Sequence, residues 1–144
     1  MVLTGIVCVA KDMGIGLNNK CLFRIPEDRK FFYEIITDKI IIVGRKTYDS
    51  LPKPLLTKPK YIHILSHNNP LPDEYIYTGE EIIVIGGEQV YESLAEYIKE
   101  WYITHVDSIA KCDTYFKVNL SNFNKNILHE NTFNNINYQI VHYY

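Results

Sequence analysis

Four continuous apolar runs organise the first two thirds of this chain: "VLTGIVCVA" from Val2, "KIIIVG" ending at Gly44, "KYIHILS" ending at Ser66 and "EIIVIGG" ending at Gly87. Each is far shorter than the roughly 20 apolar residues a membrane-spanning helix needs. Short unbroken runs of this kind are the mark of strands buried on both faces, as in a parallel sheet. Helical patterns separate them. "PEDRKFFYEIIT" opens with Pro26, which suits a first helical turn, and places Glu27 and Asp28 at the positive helix end. "RKTYDSL" leaves room for a short helix before Pro52 and Pro54, and "EQVYESLAEYIKE" reads as a further helix.

The remaining chain adds strands. "WYITHVD" is one, "DTYF" begins another, and "ILHENTF" with "NYQIVHYY" flank "NNI" as a hairpin. The segment from His67 to Gly79 is rich in Asn and Pro and is expected to be loop, with a short strand at "YIYT". The predicted class is α/β: a sandwich around a mainly parallel sheet, closed by an antiparallel C-terminal hairpin. One domain over residues 1–144 is expected, because no linker, repeat or low-complexity stretch interrupts the pattern.

Charge and cysteine usage narrow the function classes. With 15 Lys+Arg against 17 Asp+Glu, the formal net charge is −2, so there is no basic excess for nucleic acid. Three cysteines without a C-x-x-C pair argue against a disulfide framework. The five histidines show no metal-binding spacing. No charged-then-apolar leader opens the sequence, and a cytoplasmic setting with no membrane or nucleic-acid partner is expected.

Ligands of open α/β sheets bind beyond the carboxyl ends of strands. Three such ends here carry glycine. In "KDMGIGLNN" the pair Gly14 and Gly16 resembles the start of a dinucleotide fingerprint. The third glycine position is Asn19, however, and no helix pattern follows, so a mobile loop is the plainer reading. At "IIIVGRKTYDSL", Gly44 would let backbone pass close to a ligand, and Arg45 offers a planar fork for phosphate. Basic residues on a solvated helix start are the alternative. At "EIIVIGGEQV", Gly86-Gly87 leaves room for a pyrophosphate or marks a turn with positive φ.

Asp28 stands out among the acids. Phe31, Phe32 and Ile35 lie three, four and seven residues on, so its carboxylate shares their helix face. A carboxyl turned to the core has a raised pKa unless paired, which suits proton handling or a cationic ligand. An acid in the first helical turn stabilised by the helix dipole is the competing reading.

Taken in order, "GIG", "P-E-D…FF", "IIIVGRKTYDSL", "ILS", "VIGGEQVY", "WYITHVD" and "DTYF" resemble the dihydrofolate reductase family over nearly the whole chain. The resemblance implies a three-layer sandwich fold and NADPH-dependent reduction of 7,8-dihydrofolate, by hydride transfer with protonation at N5. It implies that Asp28 holds the pterin edge, with Thr104 bonded to it and Tyr91 close to both rings. Ile6, Cys8, Phe32, Leu51, Leu55 and Ile85 would wall the substrate, and Lys60 would face its glutamate tail. Ile15 and Gly16 would meet the nicotinamide. Gly44, Arg45, Lys46 and Thr47, with Gly86, Gly87, Glu88 and Gln89, would cradle the phosphates. Arg45, Ser66 and His67 would read the 2′-phosphate, and Lys11–Phe23 would be a lid to which Gly14 and Gly16 give freedom to turn.

The sequence departs from the family in three places. Leu22-Phe23 stands where Pro-Trp is usual, which removes an indole N–H donor. Lys60 replaces an arginine and loses its bidentate fork, with Lys58 nearby. The stretch between Ser66 and Ile82 is short and is expected to lack a helix bordering adenine. The trimmed length resembles what a virus or phage would encode, and a monomer is expected, in the host cytoplasm if viral. The competing functions are a reductase of another pterin or pyrimidine, and a cofactor-binding protein that keeps the fold without turnover.

Overall fold

The computed structural model describes residues 2–144. Its strands are β1 (Val2–Val9), β2 (Gly14–Gly16), β3 (Ile40–Gly44), β4 (Tyr61–Leu65), β5 (Glu81–Val84), β6 (Ile98–Val106), β7 (Thr114–Tyr115), β8 (Lys125–Phe133) and β9 (Ile136–Tyr143). Its α-helices are α1 (Pro26–Ile36), α2 (Arg45–Ser50), α3 (Glu74–Tyr77) and α4 (Glu88–Leu94). Seven strands form one sheet in the order β4-β3-β5-β1-β6-β9-β8. The pairs among β4, β3, β5, β1 and β6 are parallel, while β9 lies antiparallel to both β6 and β8.

The apolar runs are buried as their continuity predicts. Ile41, Ile42 and Val43 of β3 and Ile82, Ile83 and Val84 of β5 are all 0 % exposed. Each such side chain contributes about 1.5–3 kcal/mol relative to an exposed one. Strand alternation divides them between two layers. Ile6, Ile41, Val43, Ile83 and Ile85 face α1, whose Phe31, Phe32 and Ile35 pack on them. Val7, Val9, Ile42, Val84, Trp101 and Ile103 face the other way, onto Val90, Tyr91 and Leu94 of α4. This is a three-layer α/β sandwich, as expected. The closing hairpin turns at Asn134 and Asn135, both with positive φ (49° and 63°), a conformation Asn tolerates better than most residues.

Four local expectations are corrected. "YIYT" belongs to the single-turn helix α3, so the shortened region keeps one turn of helix, with Tyr75 edge-on to buried His63 at 5.8 Å. The helix from Glu88 stops at Leu94, passes through a 3-10 turn at Ala95–Tyr97, and β6 begins at Ile98 rather than Trp101. The pull of β1 is the cause: Leu3 pairs with Ile98, and Ile98 is buried. A second 3-10 turn, Lys53–Thr57, follows Pro52 and was not anticipated.

The fourth correction concerns the opening glycines. Gly14 and Gly16 form β2, antiparallel to β7, and neither has positive φ. Turning falls instead to Met13, Asn18 and Asn19, with φ of 71°, 51° and 63°. What the glycines provide is clearance. A Cβ on Gly14 would lie 2.6 Å from Cys112 Sγ, and one on Gly16 would lie 2.8 Å from Thr114 Oγ1. The segment expected to be a mobile loop is thus pinned to residues 112–116. Among the described residues, no helix is long and apolar enough to cross a membrane.

Candidate active site

Register brings the pieces of the site together. Cys8 of β1 and Thr104 of β6 are paired neighbours near the carboxyl ends of two central strands. Both side chains point to the α1 layer, and Asp28 in the first turn of α1 meets them. The Thr104 hydroxyl donates to Asp28 Oδ1. Burial raises the Asp28 pKa, while hydrogen bonds from Thr104 and Cys8 oppose the shift and Glu27 adds a small further rise. Burial likewise pushes the Cys8 thiol well up, reinforced by the Asp28 charge, so this cysteine stays protonated. The core-side reading of Asp28 therefore matches the geometry. Its neighbour Glu27 is turned away and accepts a 2.6 Å bond from Tyr138 Oη.

The expected walls converge on the same face. Ile6, Leu55 and Ile85 are buried in one cluster, with Phe32 and Leu51 packed against it. Tyr91 rises from the opposite layer and donates from Oη to the Ile6 carbonyl at 2.6 Å. Complete burial raises its pKa far above the ordinary value, so the phenol is neutral. Its ring is fixed by Trp101 and Phe116, at centroid distances of 5.6 and 5.7 Å.

The two glycine ends meet beside this cleft. Gly44 N donates to the Gly86 carbonyl at 2.8 Å. Gly86 has φ of 124°, so the turn reading holds there, and the Gly86–Gly87 peptide is cis. A Cβ on Gly87 would lie 2.8 Å from Thr47 Oγ1, and one on Gly44 would lie 3.1 Å from Val90 Cγ2. Both turns therefore form a bare backbone cradle. Arg45 and Lys46 flank it, exposed, with Arg45 also 3.7 Å from Asp49. Ser66 and His67 lie exposed in a turn closed by Ser66 and Asn69, beyond β4 and next to β3. Gln89 is exposed. Ile15 is half-buried against the α4-side core, and Gly16 is buried.

Two expected residues are engaged elsewhere. The Glu88 carboxylate accepts from Tyr115 N at 2.5 Å and pairs with Lys117, so its side chain ties α4 to β7. Lys60 Nζ is paired with Glu80 at the opposite, amino-terminal edge of the strands. Sequence reasoning missed the clasp on the 11–23 segment. Asp113 N donates to the Gly16 carbonyl at 2.9 Å, and Asn18 N donates to Asp113 Oδ2 at 3.0 Å. Only the small side chains required opposite Gly14 and Gly16 could have signalled it.

Among the described residues no cluster of His, Cys, Asp and Glu is arranged to hold a metal. Comparison with known proteins agrees with the geometry. A family model described as dihydrofolate reductase matches residues 2–144. The chain is 32 % identical over 140 residues to dihydrofolate reductase type 9 of Escherichia coli, covering 82 % of this chain and 77 % of that one. It is 32 % identical over 123 residues to dihydrofolate reductase of Buchnera aphidicola subsp. Acyrthosiphon pisum, covering 77 % and 76 %. It is 30 % identical over 129 residues to that of Ureaplasma parvum, covering 81 % and 83 %.

Proposed function

The chain belongs to the dihydrofolate reductase family and reduces dihydrofolate to tetrahydrofolate; we propose that NADPH is its hydride donor and that Asp28 organises the pterin. The observation that carries this reading is the buried carboxylate of Asp28, bonded by Thr104 on the α1 side of the central strands. A single domain over residues 1–144, monomeric and cytoplasmic, is the form we propose for it.

The chain fits a dinucleotide. The bare backbone at Gly44, Gly86 and Gly87 leaves a hollow that Cβ atoms would fill. Arg45 and Lys46 stand beside it as cations for phosphate, and Arg45, Ser66 and His67 are the groups we assign to the 2′-phosphate. Bound NADPH would supply the hydride that a C=N carbon of the pterin accepts.

The protein's own contribution is alignment and charge. Asp28 accepts from the 2-amino and N3 edge of the pterin, and Thr104 holds the carboxylate in place. Charge drawn to that edge favours protonation at N5, with the proton arriving through water. Tyr91, neutral and locked to the Ile6 carbonyl, sets the floor where pterin and nicotinamide meet. Ile6, Phe32, Leu51, Leu55 and Ile85 exclude water from the aminobenzoyl path. The 11–23 segment, clasped by Asp113, covers the nicotinamide side.

NADPH oxidation measured with and without dihydrofolate tests the reading. Dihydrofolate-dependent oxidation, with NADH a poorer donor, is expected. Equal use of NADH would remove Arg45, Ser66 and His67 from cofactor selection.

A further inference from the structure

The reaction assigned above consumes no thiol, yet two stand in its cleft. Cys8 lies on β1 and Cys21 in the segment that covers the cleft, and both are free. Burial raises the pKa of each, and the Asp28 charge is the next cause for both. Cys8 also senses Cys21, and the buried Tyr91 phenol senses both thiols. Charges act on one another through protein in this way only at short range, so Asp28, Cys8, Cys21 and Tyr91 form one cluster. Cys21 is exposed to solvent, yet enough protein surrounds its thiol to raise the pKa. That combination belongs to the open mouth of a concave site.

Packing and backbone bring the pair within reach. Cys8 packs on the small cluster of Ile25, Val106 and Tyr138, and Phe23 packs on the same cluster. Cys21 is two residues before Phe23, a span of at most about 7 Å. Upstream, Leu17 and Lys20 exchange backbone bonds of 3.0 Å, with Asn18 and Asn19 turning between them. Among the described residues, none bonds to the backbone of Cys21, Leu22, Phe23 or Arg24. The stretch between that turn and α1 therefore swings on local fluctuations, and Cys21 with it. A disulfide needs Cα atoms within roughly 7 Å of each other, a distance such a swing closes. The third cysteine, Cys112, is held elsewhere: its Sγ lies against Gly14 and its thiol is hydrogen-bonded with Tyr115.

We propose that Cys8 and Cys21 are a redox modification site, closed into a disulfide across the cleft by a small-molecule disulfide of the glutathione class, and that the crosslinked protein is inactive. The proposal rests on the reductase reading, which sets the pterin edge against Asp28. Cys21, the exposed thiol with Arg29 and Arg24 near it, attacks one sulfur of the small disulfide as its thiolate, and one small thiol leaves. Cys8 then attacks the Cys21 sulfur of that mixed disulfide, and the second small thiol leaves. Two protein thiols are oxidised, one small disulfide is reduced to two thiols, and the two protein protons pass through water to the two leaving thiolates. The new S–S bond crosses the space in front of Asp28 and draws Cys21 onto β1, which shuts out the pterin edge. Bound pterin in turn parts the two sulfurs, so only the empty protein is crosslinked. Excess small thiol reverses the reaction, which suits a transient disulfide in the reducing cytoplasm proposed for this chain.

The test incubates the full chain with glutathione disulfide and follows two readouts in parallel: the crosslink, by peptide mass spectrometry, and dihydrofolate-dependent NADPH oxidation. A Cys8–Cys21 crosslink is expected, with activity lost in proportion to the crosslinked fraction and restored by dithiothreitol. Cys112→Ser should respond in full. Cys21→Ser should keep the same activity before and after the oxidant, and Cys8→Ala should stop at a glutathione adduct on Cys21. Dihydrofolate without NADPH, at about ten times its Kd, should slow crosslinking roughly tenfold. An adduct that persists on Cys21 of the unaltered protein, a crosslink to Cys112 instead, or undiminished turnover by crosslinked protein overturns the proposal. A Cys8–Cys21 crosslink in protein that never turns over dihydrofolate defeats the reductase reading and leaves the cysteine pair standing.

Discussion

The two halves of the cleft are built on opposite principles. The half proposed for the pterin is made of side chains: Asp28, Thr104 and Cys8, fixed by strand register and closed off by Ile6 and Leu55. The half proposed for the cofactor is made of backbone: Gly44, Gly86 and Gly87 held bare, with Arg45 and Lys46 in solvent beside them. A buried polar group is expensive and tightly fixed, so one substitution removes a function outright. A bare cradle with exposed cations spreads its binding over many weak contacts. Substitutions on the first side should therefore act on kcat, and those on the second on KM for the cofactor.

The largest effect is expected at Asp28. Asp28→Asn should lower kcat/KM for dihydrofolate by roughly a hundredfold or more at neutral pH, the scale of a positioned acid–base group. The same variant should melt higher, by an order of a few degrees, because it removes a buried charge. The sign follows from its raised pKa. Below the ordinary value of 3.8, the carboxyl is neutral in folded and unfolded chains alike. As pH rises, the unfolded chain releases its proton first, so the folded state loses stability until its own raised pKa is passed. The melting difference between Asp28→Asn and the unaltered protein should be near zero at the acid end and reach its full value at neutral pH. A variant that is inactive but no more stable would mean the Asp28 charge is well compensated in the fold.

A smaller effect is expected at Gly87, and here the two roles of a glycine can be separated. Gly87→Ala places a methyl against Thr47 Oγ1. KM for NADPH should rise about tenfold, equivalent to ~1.4 kcal/mol, with kcat little changed. Adding Thr47→Ser, which keeps the hydroxyl, does not relieve the contact. Adding Thr47→Ala does. If the double variant Gly87→Ala/Thr47→Ala regains stability in a thermal melt but binds NADPH less well than Thr47→Ala alone, the bare backbone serves the ligand. Recovery of both would reduce Gly87 to a packing glycine. Arg45→Ala comes next, with a severalfold rise in KM for NADPH and none for NADH, on the scale of one exposed ion pair. Equal rises for both donors would show that Arg45 does not read the 2′-phosphate.

How much of this was legible in the sequence follows the same division. Asp28 could be placed from helical spacing alone, since its face carries Phe31, Phe32 and Ile35. The parallel sheet could be read from the unbroken runs around Ile42 and Ile83. Thr104 could not be derived without the family pattern, because its contact with Asp28 spans 76 residues and depends on the pairing of β1 with β6. Two of the departures lie where a distant partner overrides local preference. Ile98 is drawn out of a helical pattern by Leu3, and Gly14 and Gly16 are drawn out of a loop by β7. The side-chain engagements of Lys60 and Glu88 were equally invisible, since their partners Glu80 and Tyr115 are apart in sequence.

The smallest effect, and the finest test of the contrast, concerns the 11–23 segment. It belongs to neither half, being backbone-built like the cofactor side yet clasped by the Asp113 side chain. Asp113→Asn keeps an acceptor for Asn18 N but removes the charge, whereas Asp113→Ala removes both. If the clasp holds the segment over the nicotinamide, kcat should fall in the order unaltered, Asn, Ala, by no more than about tenfold, since loop closure gates turnover without taking part in chemistry. Hydrogen exchange at Gly16 and Asn18 should quicken in the same order, because β2 and β7 are only three and two residues long. An unchanged kcat with faster exchange would separate the order of this segment from catalysis.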